Sequence, residues 1–207
     1  MSDTIIFDTE ATLKNEPVMY EVKTFALVPE NHPALHEVLP EFNFSNPPVN
    51  PSEFASSLVE TCKKHNGLGL SANQCGYNYR VFVMGSGDEY VAFFNPKIIS
   101  VSEEKIKMEE GCLSFMDLFL NIERPTKIEV EYQDFTGTLK TATFAGLTAR
   151  CFQHELDHMN GVVYTMHVKP LAMQMAMKKR SKLAVQRRKL QQMMINKVKE
   201  KFNVKRF

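Results

Sequence analysis

No apolar run in this chain reaches the ~18 residues that a membrane-spanning helix requires. The 207 residues therefore point to no membrane partner. Arginine is missing from the first 79 positions, Arg80 being the first, while Asp3, Asp8 and Glu10 stand near the start. An organelle transit segment is rich in arginine and poor in acids, so this beginning argues against one. A basic stretch followed by an apolar one, the mark of a secretory signal, is also lacking. The expected location is cytoplasmic. The four cysteines, Cys62, Cys75, Cys112 and Cys151, form no CxxC pair and no secreted disulfide framework. Reduced thiols, serving metal binding or simple burial, are the better reading. Internal repeats and low-complexity segments are lacking too.

What is present is ordinary for a globular protein: 43% hydrophobic and 24% charged residues, enough for one domain with a core. The net charge of +1 hides an asymmetry. Residues 169–207 hold 13 lysines and arginines against Glu200 alone, leaving −11 on the rest of the chain. An acidic body with a basic tail bears on partners, not on fold.

Residues 1–44 give weak local signals. The proline-rich stretch Ser45–Pro51 reads as a loop that ends in a helix start, with Asn50 as N-cap, Pro51 at the first position and Glu53 three after the cap. Phe54, Leu58 and Cys62 recur every four residues on a buried face, and Gly67 is expected to close this helix. Tyr79–Met84 and Val91–Ile99 read as strands, the second interrupted by Pro96. Ile128, Val130 and Tyr132 alternate with polar residues, and Asp134–Gly137 turns the chain back into Leu139–Phe144. A helix follows over Thr148–Asn160, ended by Gly161, and Pro170 opens a long helix to about Val198. The fold class is α+β: antiparallel strands around a central HExxH helix, with a long C-terminal helix.

His154-Glu155-Leu156-Asp157-His158 is that HExxH motif. Residues four apart share a helix face, so both imidazoles can reach one cation, and Glu155 can take a proton from water activated there. The competing reading is an amphipathic helix with surface histidines. A catalytic site needs a third protein ligand; downstream, His167 and Glu200 offer themselves, and the cysteines compete. Cys151 lies on the same face as the histidines, but it is separated from His158 by ~10 Å along the axis, too far for bonds of ~2.0–2.3 Å to one ion. Cys151 is better read as a pocket-wall residue. Cys112, in Glu109-Glu110-Gly111-Cys112-Leu113-Ser114, is the best third ligand, although a lone cysteine in such a segment is more commonly just buried.

Three segments together resemble the peptide deformylase family, whose pattern is GxGLAAxQ, then EGCxS, then QHExDH. This chain reads Gly67-Leu68-Gly69-Leu70-Ser71-Ala72-Asn73-Gln74, then Glu110 to Ser114, then Gln153 to His158. The resemblance implies a metal-dependent hydrolase removing the formyl group from the N-terminal formylmethionine of nascent polypeptides, built as a catalytic domain over 1–168 and a basic, Met-rich helical tail over 169–207. It implies Cys112, His154 and His158 as metal ligands, Glu155 as general base, and Gln74 with the Leu113 backbone N–H as oxyanion donors. Gly67, Gly69, Glu110 and Gly111 would flank the substrate, and Leu147 and Cys151 would wall a methionine pocket. Family metals are ferrous iron (Fe2+) in the cell, with Zn2+, Ni2+ or Co2+ as substitutes. Ser71 replaces an alanine of the pattern, and Met116 and Phe119 stand where bacterial relatives often carry proline and arginine. Arg124 matches a family position and reads as an ion-pair partner of Asp157.

The tail mixes Met173, Met175, Met177, Leu183 and Leu190 with Lys178-Lys179-Arg180 and Arg187-Arg188-Lys189. One reading is a helix packed by its Met/Leu side. The other is a contact with ribosomal RNA, since clustered cations attract phosphate without reading sequence. DNA is not an expected partner. Two rivals to the deformylase reading are an HExxH metallopeptidase and a ribosome- or RNA-associated protein with a structural metal site.

Overall fold

The computed structural model describes residues 22–201; the first 21 residues and 202–207 of the tail lie outside them. Helix α1 spans Pro51–Lys64, and the Asn50 side chain accepts hydrogen bonds from the N–H groups of Ser52 and Glu53. Such a cap contributes about 1 kcal/mol. The helix ends one residue earlier than expected. Asn66, with φ 54°, takes the left-handed position, and the Gly67 N–H returns to the Cys62 carbonyl at 2.9 Å. Gly67 is left for another use.

Strands β1 (Gly69–Ser71), β2 (Val81–Ser86), β3 (Glu89–Val101), β6 (Lys127–Gln133) and β7 (Leu139–Ala145) form one sheet in the order β1-β2-β3-β6-β7. Every pairing in it is antiparallel. Strands β4 (Lys105–Cys112) and β5 (Phe115–Pro125) make a separate hairpin. The α+β class holds, with antiparallel sheets and a long C-terminal helix.

Patterning explains the layers. In β2 and β3 both faces are apolar, and both are covered. Val81, Val83, Ala92 and Phe94 pack with Phe54, Leu58 and Cys62 of α1. Phe82, Met84, Val91 and Phe93 pack on the other side with Ala149, Phe152, Leu156 and Met159 of helix α2 (Gly146–Met159). Phe152 alone meets the rings of Phe82, Phe93 and Phe144 at 5.1–5.7 Å, and burying such a ring contributes about 1.5–3 kcal/mol. Strand β6 alternates as expected, because only its Ile128, Val130 and Tyr132 face that core.

Pro96 does not interrupt β3. The strand instead bulges between Phe94 and Lys97. Asn95 adopts φ 50°, and its side chain holds the Phe42 backbone N–H at 2.6 Å and carbonyl at 3.0 Å. A bulge accommodates proline where a regular ladder would lose a donor.

The segment 22–44 contributes one buried anchor to each of three clusters, Leu39, Phe42 and Leu35, with Phe25, Leu27, Val28 and Phe44 packed less deeply beside them. After α2, Gly161 (φ 70°) passes so close to His36 that a Cβ would lie 2.7 Å from its carbonyl oxygen. Helix α3 spans Pro170–Lys201, opening at Pro170 as expected. It packs against β5, where Met173 and Ala176 join Leu118, Leu120, Ile122 and Tyr164.

Candidate metal centre and active site

The end of β4 brings Cys112 to the face of α2 that carries His154 and His158. The possible ligand atoms of these three side chains all lie within 4.8 Å of one another. Cys112 Sγ is 3.4 Å from His158 Nε2. Cys151 is outside this cluster, and so is His167, whose Nε2 instead meets Asp157 Oδ2 at 2.7 Å.

A charged network sets the cluster's orientation. Glu110, two residues before Cys112, accepts from Arg124 Nε at 2.7 Å and Nη2 at 3.0 Å, and from Arg150 Nη1 at 2.5 Å. Its Oε2 lies 3.1 Å from His154 Nδ1. Burial alone would raise the Glu110 carboxyl, but His154 and Arg124 outweigh it and hold it near 2, so Glu110 is an anion. An anion facing Nδ1 makes that nitrogen the donor and leaves Nε2 free to act as a ligand. Arg124 also reaches Asp157 at 2.8 Å, the ion pair expected of it. Both oxygens of Glu110 are thus occupied within the protein; it borders the cleft but serves His154.

Gln74 sits in a 3-10 turn after β1, nearly fully buried. Its Oε1 accepts from the Ser71 N–H at 3.0 Å, which orients the amide. Nε2 then points to Cys112 Sγ at 3.2 Å and Ser114 Oγ at 3.1 Å. The neighbouring Asn73 donates to the His158 carbonyl at 2.9 Å, tying this turn to α2.

Glu155 is 3% exposed, and its Oε2 has no hydrogen-bond partner among the described residues. Burial pushes its carboxyl up to about 7, against the opposing pull of His154. Burial would lower His154, but hydrogen bonds to Cys112 and Glu110 overcome it and raise the imidazole to about 10, so a cation would bind by displacing the Nε2 proton while Nδ1 keeps its own. Burial and the neighbouring His154 drive His158 well below the usual histidine range, which favours its neutral, ligating form.

A cleft of about 830 Å³ opens over this floor. Of the twelve site residues expected from sequence, all but His158 border it: Gln74, Leu113, Glu155, Gly67, Gly69, Glu110, Gly111, Leu147, Cys151, Cys112 and His154. Leu147 is 42% exposed at the mouth, and Cys151, its thiol raised by burial, packs at the edge of the core. At Gly69 a Cβ would come within 2.5 Å of Glu155 Oε1 and 2.9 Å of Cys151 Sγ. Gly69→Ala should therefore displace the carboxylate and lower kcat by about 100-fold, the scale of a misplacement near 1 Å. Turnover within about twofold of wild type at an unchanged melting temperature would show that the carboxylate tolerates the methyl group.

Arg150 and Asn73 are the site residues that sequence reasoning missed. The one available signal for Arg150 was a lone arginine amid Leu147, Ala149, Cys151 and Phe152 on α2.

One sulfur, two imidazoles and a buried carboxylate with one oxygen unpartnered among the described residues, all under a cleft, are the equipment of a single-metal hydrolase. The polypeptide deformylase family model matches residues 25–174. Among curated relatives, the peptide deformylase of Thermotoga neapolitana is 43% identical over 113 residues, covering 55% of this chain and 69% of the relative. That of Mesorhizobium japonicum is 35% identical over 168 residues, 79% of this chain and 93% of the relative. In structure, the Thermotoga maritima peptide deformylase superimposes with TM-score 0.66 at 36% identity, over 71% of this chain and 99% of that one. The Synechococcus elongatus peptide deformylase in complex with actinonin gives TM-score 0.70 at 28% identity, over 78% and 91%. The chain belongs to the peptide deformylase family, hydrolases that use a single metal ion to remove N-terminal formyl groups during protein biosynthesis. The matched stretch begins at residue 25, inside the segment whose local sequence signals are weak. Among the described residues no helix is long and apolar enough to cross a membrane.

Proposed function

We propose that residues up to 168 form a cytoplasmic catalytic domain that deformylates nascent N-formylmethionyl polypeptides, its antiparallel strands disposed around the HExxH helix as the metal-binding element. The carrying observation is the convergence of Cys112, His154 and His158 beside Glu155. The donors fit a divalent ion: mixed sulfur and nitrogen ligation suits Fe2+, Zn2+, Ni2+ or Co2+ alike, and it is the family resemblance that favours Fe2+ as the native metal. Bound there, such an ion supplies charge that polarises a carbonyl and acidifies water.

The protein's own groups do the rest. Glu155, with its carboxyl near 7, takes a proton from the attacking water and returns it to the leaving amine. The Leu113 backbone N–H and one Gln74 Nε2–H, exchanging its contact with Cys112 or Ser114, donate to the formyl oxygen as negative charge develops on it. Glu110 and its two arginines fix the His154 tautomer, and Gly111 lets the chain pass close to the substrate. Strand β1 lies at the sheet edge, so Gly67 to Gly69 can accept the peptide as an added strand. Leu147 and Cys151 wall the methionine side chain.

The tail from 169 to 207 is proposed as a contact with ribosomal RNA. Support comes from its charge and from the exposure of Lys178, Lys182, Arg188 and Lys189. Neutralising those four should weaken ribosome pelleting at low salt by orders of magnitude and less at high salt. Pelleting with unchanged salt dependence would remove the tail from docking.

The deformylase reading is tested by formate release from a formyl-Met peptide by metal-loaded protein, beside a formyl-Asp peptide and an internally cleavable one. Release confined to formyl-Met is expected. Internal cleavage would favour a metallopeptidase, and no hydrolysis at all a structural metal site.

A further inference from the structure

Helix α3 meets the body, chiefly strand β5, along one stripe. Met173, Ala176, Arg180, Leu183 and Ala184 are half-buried, at spacings that keep them on one helix face, and Arg187 continues that line. From Val185 to Lys199 every residue is exposed, and within that run Arg187 still reaches the body through its side chain.

Three cations of α3 reach acids on the body. Arg180 meets Glu30 at 2.6 Å, and Lys179 meets Glu109 at 3.8 Å. Arg187 pairs with Asp117 through Nη2, and its Nη1 lies 3.5 Å from Met116 Sδ. Glu109, Met116 and Asp117 all border the substrate cleft. The Lys179 pair is more than half exposed on both sides, a geometry that contributes little. The Arg187 pair differs on the acid's side: Arg187 is 56% exposed, but the Asp117 side chain is only 20% exposed and its backbone is left-handed, φ 60°. An aspartate tolerates that conformation without favouring it.

This first part of β5 is secured unequally. On its inner flank Ser114 accepts from Gln74, the Phe115 ring packs on Tyr164 at 5.5 Å, and Tyr164 donates to the Leu118 carbonyl at 2.8 Å. On its outer flank Met116 is 65% exposed, and Arg187 spans it and Asp117.

We propose that Arg187 is a positioning residue for the peptide substrate: by bridging Asp117 and Met116 it fixes the outer wall of the cleft, against which residues beyond the N-terminal methionine lie. The proposal rests on the deformylase reading above. The reacting group belongs at the buried floor with Cys112, His154 and Glu155, and the first side chain beside Leu147 and Cys151. A wall at the exposed mouth therefore meets only the later part of the peptide.

The test uses full-length, metal-loaded protein and two uncharged substrates, formylmethionine amide and a formylmethionyl tripeptide amide. Arg187→Ala should raise KM for the tripeptide about three- to fivefold, the scale of a partly exposed ion pair, with kcat and the single-residue amide changed by less than about twofold. Arg187→Lys should recover part of the loss. Arg187→Asp should exceed it, and adding Asp117→Arg should reverse the excess. Raising salt to about 0.5 M should narrow the gap between wild type and Arg187→Ala, since screening weakens the pair. If melting temperature falls but the tripeptide KM does not move in any variant, α3 merely anchors the fold and the proposal is overturned. Should Arg187→Ala fail to fold, the salt titration decides: a wild-type tripeptide KM indifferent to salt also overturns it. A wild-type protein that releases formate from neither substrate defeats the deformylase reading instead.

Discussion

Replacing Glu155 by glutamine leaves one metal bound per chain and lowers formate release by about 10²–10⁴-fold, the range for losing a positioned general base. The side chain is 3% exposed, one oxygen lacks a partner among the described residues, and its carboxyl is raised to about 7. A carboxyl in that range can both accept a proton and give it up near neutral pH. Glutamine keeps the shape against Gly69 and Cys151, so the cleft is preserved while proton transfer is lost. Burial rather than pairing is what raises Glu155, so a neutral amide removes a desolvation cost, and the melting temperature should not fall. Metal content, melting temperature and formate release are measured on the same preparation. Turnover above about a tenth of wild type with full metal would take Glu155 out of the proton transfer.

Local chemistry is what sequence exposes. The start of α1 was legible because Asn50, Pro51 and Glu53 act within one helical turn. The β6–β7 hairpin was legible because Asp134–Gly137 closes on itself, the Asp134 side chain accepting from Thr136 and Thr138. The bulge at Asn95 was not, because what stabilises it is Phe42, far away in the chain. Residues 22–44 resisted reading for a related cause: Leu35, Leu39 and Phe42 are separate anchors in three clusters and trace no period. The hairpin of β4 and β5 also went unread, since β4, Lys105–Cys112, is charged and mostly exposed. In the site, the two histidines announced themselves by their spacing of four, and Cys112 by its motif. Arg150 could not, since its partners Glu110, Ile122 and Ile106 come from other strands. Nor did the methionines of α3 betray that only Met173 packs substantially on the body, while Met175, Met193 and Met194 stay exposed.

Cys112→Ser should abolish stoichiometric metal, whereas Cys151→Ser should retain it. Both cysteines stand near the histidines, and the distinction is geometric. Cys151 shares a helix face with His154 and His158, but ~10 Å of axial rise separates it from His158, so one ion cannot bond all three. Cys112 arrives from β4, on a different element, and its sulfur lies 3.4 Å from His158 Nε2. Serine at 112 offers a harder, less basic oxygen to a site whose softness comes from sulfur. Loss of an outer hydrogen-bond partner already costs about 10–100-fold in metal affinity, and loss of a ligand should exceed that. Serine at 151 changes little volume; it exchanges a thiol at the core edge for a hydroxyl and should cost stability of about 1 kcal/mol, leaving one metal per chain. Metal analysis after dialysis, with melting curves for both variants, reads the two outcomes directly. A Cys112→Ser protein that keeps its metal while Cys151→Ser loses it would mean that the ion sits along α2 rather than between α2 and β4.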